Sequence, residues 1–263
     1  MVQNVRFYAL LILSMFLGAC ASLPTFISSQ IASKCELVLD DSLLILAGAT
    51  DEKMLDCVSR HLGPKVKKLS VNSSGGDART ALEIGDIIAN SRLHIIIEDK
   101  CHSSCANYFL PVARRVSLAP NASVILHGSI DEGLLARDSD IGDKLSQERR
   151  RELVEIQNEF AKKHSVHLGW LLYRTAREYE ERRPSRYVQG RVSRVASDGA
   201  PVRAIIVEEA FMRGCLSNVR VDTFERTLVQ TMYSNENTRA KYEKQGFFLT
   251  GSMQCTPTAS SSQ

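Results

Sequence analysis

Between residues 35 and 130 the chain switches repeatedly between two apolar rhythms, and this limits its fold more than any other feature. "CELVLDDSLLILAGAT" reads as two short strands around an Asp-Asp turn. "DEKMLDCVSRHLG" follows as a helix, with Thr50 or Asp51 as its cap and Gly63 as its stop. "KVKKLSVNSSGGD" is a strand running into a glycine turn. "ARTALEIGDIIANS" is a helix with Ala81, Ile84, Gly85 and Ile88 on one face. "RLHIIIED" is almost wholly apolar, which suits a central buried strand ending near Asp99. "SCANYFLPVAR" is a helix cut short at Pro111, and "RVSLAPNASVILHGS" supplies two more strands around an "APNA" turn. Strands alternating with helices in this way predict an α/β domain with parallel strands. Such domains place their chemistry in the loops at the carboxyl ends of the strands.

Three of those strand ends carry residues suited to acyl-transfer chemistry. In "VNSSGGD" the pair Gly75-Gly76 lets the backbone turn before a helix and present bare N–H groups, which suit a phosphate or a developing oxyanion. In "CHSSC" a serine stands where an apolar strand gives way to an apolar helix. The unpaired N–H groups and dipole of a helix start favour negative charge, as a serine nucleophile requires when its attack generates an oxyanion. In "SVILHGS" an apolar strand delivers His127 at its end, 24 residues after Ser103.

This ordered set resembles the ClpP/crotonase superfamily. "NSSGGD" is similar to the "NSPGG" turn of ClpP-type serine peptidases, with Ser74 in place of the proline. "CHSSCANYFL" is similar to the nucleophile segment, above all to the C-x-S-x-C version in exported ClpP-like proteins, and "ILHGS" to the strand carrying the base. The resemblance covers about residues 65–130. It implies a ClpP/crotonase-like fold of repeated ββα units with a helical C-terminal half, spanning residues 35–250. It also implies Ser103 as nucleophile, His127 as general base, and the backbone N–H groups of Gly75, Gly76 and Ser104 as the oxyanion hole. Further on, "EEAFMRGCL" resembles a helix that closes the ClpP-type fold, and Asp198, shortly before it, stands where such peptidases keep the acidic triad member. The implied function is hydrolysis of a peptide or protein substrate, without cofactor or metal, in a homo-oligomer. Three alternatives stand beside it: a Ser-Lys dyad using Lys144, a catalytically inactive scaffold binding a peptide or envelope partner, and a crotonase-type acyl-CoA enzyme, which export disfavours.

The N-terminus predicts export. Arg6 precedes an apolar stretch from Phe7 to Leu17, too short to span a bilayer but suited to a signal peptide. "LGAC" then resembles the lipobox of bacterial lipoproteins, which implies removal of residues 1–19 and a lipid on Cys20. Cleavage after Ala21 is the alternative. With Ala21 after the cysteine, the expected location is the periplasm, anchored to the outer membrane, with residues 20–34 as a tether. Cys35, Cys57, Cys101, Cys105, Cys215 and Cys255 remain, an even number that suits disulfides in an oxidising compartment, and Cys101 and Cys105 are candidates either for a bond across the helix start or for buried thiols. Their spacing is not that of a zinc site, and His164 and His167 read as surface residues. The net charge of +3 is too small to argue for nucleic acid.

Beyond residue 130 the rhythm changes. Residues 138–180 predict helices, the first carrying Ile141, Leu145, Leu153, Ile156 and Phe160 on one face, available either to the chain's own sheet or to an interface. A second helix holds Trp170, Leu171 and Leu172. "RRPSRYVQGRVSRVASDGAP" reads as an irregular connector, "VRAIIVEEAFMRGCLSNVRV" as strand, helix and strand, and residues 251–263 as a disordered tail.

Overall fold

A computed structural model of the protein describes residues 33–127, 144–172, 186–188, 191–195, 201–202, 204–250 and 255. The expected lipidation site Cys20, the signal peptide and Asp198 lie outside these residues.

The chain is α/β, built on a mixed nine-stranded sheet. Strands β1 (Lys34–Val38) and β2 (Leu43–Thr50) form an antiparallel hairpin. Its turn takes Leu39, Asp40 and Asp41 through positive φ, so the Asp-Asp expectation holds. Helix α1 (Glu52–His61) leads to β3 (Lys68–Gly76), helix α2 (Ala78–Ser91) leads to β4 (His94–His102), and β3 is parallel to both β2 and β4. Asp51 caps α1, its carboxylate accepting from Met54 N at 3.0 Å, and Asp77 caps α2 through Thr80 N at 2.8 Å.

After β4 come helix α3 (Ser104–Tyr108), a 3-10 turn (Leu110–Val112), β5 (Arg115–Leu118) and β6 (Ser123–Leu126). Helix α3 ends at Tyr108, earlier than Pro111 suggested, because Pro111 sits inside the 3-10 turn. Strand β4 is forked in its pairing: His94–Ile97 lie beside β5, whereas Lys100–His102 lie beside Ser123–Ile125 of β6. That second pairing carries β4 to His102, beyond the expected end at Asp99.

The second half departs further from expectation. Helix α4 (Lys144–His164) and helix α5 (Leu168–Leu172) are present. Leu153, Ile156 and Phe160 of α4 pack on the chain's own core, so that face is used internally; Ile141 lies outside the described residues. The connector expected to be irregular contains β7 (Arg186–Val188), β8 (Arg191–Val195) and β9 (Pro201–Val202), joined in a small antiparallel sheet. Strand β10 (Ala204–Ile206) then adds antiparallel to β6. After helix α6 (Glu209–Cys215), strand β11 (Arg220–Val221) joins β5, and after helices α7 (Leu228–Ser234) and α8 (Glu236–Lys244), strand β12 (Phe247–Leu249) joins β10. The C-terminal half is therefore helical and sheet-forming at once.

The main core buries Leu44, Leu46, Leu69, Val71, Ile95 and Ile97 of the central strands against Ile84 and Ile88 of α2 and against Phe109 and Trp170. Trp170 donates its indole N–H to Ala106 O at 3.0 Å, and Tyr108 donates its hydroxyl to Gln157 at 2.7 Å, so the long helix and its successor hold α3 from behind. Three disulfides close: Cys35–Cys57, Cys101–Cys105 and Cys215–Cys255. The last ties a residue of the expected free tail to α6. His164 is packed instead of exposed, with Nε2 2.5 Å from Asp86 Oδ1. Among the described residues no helix is long and apolar enough to cross a membrane.

Candidate active site

Parallel strands β3, β4 and β6 are neighbours, so their carboxyl ends share one edge of the sheet. That edge brings together the Gly75-Gly76 turn, Ser103 and His127. Ser103 Oγ lies 2.5 Å from His127 Nε2. With its proton on Nδ1, the imidazole accepts from the serine hydroxyl, the arrangement a general base needs before attack.

Ser103 caps α3 in an unusual way. Its φ of 56° and ψ of −128° lie in a region that non-glycine residues rarely adopt. The chain comes straight off a strand and turns at once into a helix, and this conformation lets the turn be made in one residue. Neighbours enforce it. Ser103 N donates to Ile125 O of β6 at 2.9 Å, while Ser103 O accepts from Asn107 N at 2.9 Å to begin the helix. The Cys101–Cys105 disulfide spans the same bend, with both cysteines fully buried.

The glycine turn is pressed against this bend. Gly75 has φ of 85°, and a Cβ placed there would lie 2.6 Å from His102 O and from Ser103 Cβ, and 3.0 Å from Ser104 N. Only a residue without a side chain lets the two backbones meet. The three expected oxyanion donors are not equivalent. Ser104 N belongs to the first residue of α3, where no intrahelical acceptor exists. Gly75 N donates to Ser73 Oγ at 3.1 Å across the turn. Gly76 N is turned away and donates to the Ser104 hydroxyl at 2.8 Å, so Gly76 is a brace of the turn and not an anion donor.

Sequence reasoning missed Thr50, which read only as a possible helix cap. Its hydroxyl lies 2.7 Å from Ser104 Oγ and is fully buried. The sequence showed a second serine directly after Ser103, but nothing in it tied that serine to a threonine 54 residues away. His102 was also passed over. Its Nε2 lies 2.8 Å from Ser123 Oγ, linking the end of β4 to the start of β6. Burial, with Lys100 and His127 nearby, pushes its pKa down to about 3, so this imidazole remains neutral.

Lys144 is the first residue of α4; its side chain lies outside the described residues. Among the described residues no group of three or more metal-binding side chains occurs. The geometry can therefore support nucleophilic attack by a serine assisted by an imidazole, next to at least one helix-start amide. No protein-family model matches the chain, and no curated protein matches it.

Proposed function

We propose that this chain is a serine hydrolase of ClpP/crotonase type acting on peptide bonds, exported and held to the cell envelope by a lipid on Cys20. The observation that carries the reading is the 2.5 Å contact between Ser103 Oγ and His127 Nε2 at a helix start. Ser103 Oγ attacks the carbonyl carbon while its proton passes to His127 Nε2. The carbonyl oxygen becomes an oxyanion beside Ser104 N–H and, once it leaves Ser73, Gly75 N–H. The C–N bond breaks, the amine departs with the proton from His127, and an acyl-Ser103 ester remains. Water attacks this ester while His127 takes its proton; the ester C–O bond then breaks, His127 returns the proton to Ser103 Oγ, and the carboxylic acid leaves. A donor aimed at the oxyanion is typically worth about 100- to 1000-fold in rate. The β-α-β progression from β2 to β6 supports the fold assignment, and the resemblance of the three motifs supports peptide as the substrate class. The three disulfides agree with an oxidising compartment.

A fluorophosphonate probe tests the chemistry. The wild-type protein should be phosphonylated at Ser103, with no labelling in Ser103→Ala or His127→Ala. A folded wild-type protein that takes up no probe would refute the hydrolase reading in favour of a binding scaffold. Labelling that survives His127→Ala but is lost in Lys144→Ala would instead point to a Ser-Lys dyad.

A further inference from the structure

We infer that the buried hydroxyl pair Thr50–Ser104 is a positioning device that locks the glycine turn onto the nucleophile helix. The inference rests on the hydrolase reading above and goes beyond its reacting groups. Ser104 follows Ser103 directly, yet the residue is only 3% exposed and its hydroxyl is turned to Thr50 and Gly76. Its oxygen accepts from Gly76 N at 2.8 Å, lies 2.7 Å from Thr50 Oγ1, and reaches Gly76 O at 3.3 Å. One assignment satisfies every group: Thr50 donates to Ser104, Gly76 N–H donates to Ser104, and Ser104 donates to Gly76 O. This uses the full capacity of a hydroxyl, one donor and two acceptors.

The geometry explains why such a link matters. Thr50 ends β2, Gly76 ends β3 and Ser104 begins α3, so three successive β-α junctions meet at one oxygen atom. The Gly76 backbone is also closed in from the β2 side: a Cβ there would lie 2.6 Å from Thr50 O. Asp77 N donates to the same carbonyl at 2.9 Å. The turn is thus held at Gly76 by Thr50 and Ser104, and the preceding residue, Gly75, is left against Ser103 and Ser104 N. Displacing the turn by a fraction of an ångström would move one edge of the oxyanion pocket without touching Ser103 or His127.

Two substitutions at Thr50, neither touching a reacting atom, separate this role from simple stability. Thr50→Val keeps the shape and removes the hydroxyl; Thr50→Ser keeps the hydroxyl and removes a methyl. The rate of Ser103 phosphonylation is measured against probe concentration, with thermal unfolding recorded for each variant. Thr50→Val should lose about 10- to 100-fold in the maximal labelling rate, with little change in half-saturating probe concentration, whereas Thr50→Ser should stay within about threefold of wild type. Equal rates in Thr50→Val and wild type would overturn the inference while leaving the hydrolase reading intact. Rates that follow melting temperature across both variants would overturn it as well, since the pair would then be structural only. Absence of labelling in the wild-type protein would remove both.

Discussion

Replacing Ser103 by glycine should make the protein more stable than replacing it by alanine. Both substitutions delete the hydroxyl and its contact with His127, so that loss cancels between them. What differs is the backbone. At φ 56° and ψ −128° an L-residue with a Cβ carries strain of about 1–3 kcal/mol, which alanine retains and glycine sheds. Against this, glycine makes the unfolded chain more disordered, at a cost of about 0.4–1 kcal/mol. Taking the middle of each range, about 2 and about 0.7 kcal/mol, the difference is roughly 1.3 kcal/mol in favour of Ser103→Gly. For a domain of this size it corresponds to a melting temperature about 2–6 °C above that of Ser103→Ala. Differential scanning calorimetry of the two variants, with disulfides intact, reads it directly. If Ser103→Ala melts at the same temperature or higher, the bend is not strained, and the fold does not force the serine into an unfavourable conformation.

Gly75→Ala should abolish Ser103 labelling and destabilise the protein, because its Cβ would lie 2.6 Å from Ser103 Cβ and φ is 85°. Gly214→Ala, on α6 with nothing within 4 Å of the new Cβ, should gain about 0.5–1 kcal/mol. Urea titrations of both variants, paired with probe labelling, would expose an error if Gly75→Ala remained fully reactive. The pH dependence follows from His102. Its folded pKa of about 3 lies below its ordinary 6.5, so the unfolded state takes up a proton first as pH falls. Its contribution is therefore complete above about pH 6.5 and is lost towards pH 3, at a slope of up to about 1.4 kcal/mol per pH unit. His94 and His167, also lowered by burial, act in the same direction. Between pH 7 and pH 5 the urea midpoint of wild type should fall more than that of His102→Asn; equal falls would remove His102 from the account.

Much of the site was legible because its parts are local. A paired-glycine turn, a serine between strand and helix, and a histidine ending an apolar strand are each short-range signals, and strand order makes them meet. What could not be read depends on pairing across the sheet. Residues Lys100–His102 gave no strand pattern; they are extended because β6 lies alongside. The directions of β1 and β10 were equally hidden, since an apolar run looks the same parallel or antiparallel. The Arg-rich connector concealed β7 to β9, whose short polar strands lack the alternation of a half-buried face. Thr50 and Ser104 carried no warning in spacing, being 54 residues apart. His164 looked like a surface residue on a polar helix until its contact with Asp86 of α2 drew it inward.

The forked partnership of β4 has a consequence for how the protein comes apart. The strand that ends at the reactive serine is gripped by β3 along one side and by β5 and then β6 along the other. The Ser103 amide itself is tied to β6 through Ile125 O. A fluctuation that unseats the serine must therefore peel β4 from three partners together. Deuterium should reach this amide only through near-global opening, and the reactive bend should persist intact up to the melting transition instead of fading ahead of it.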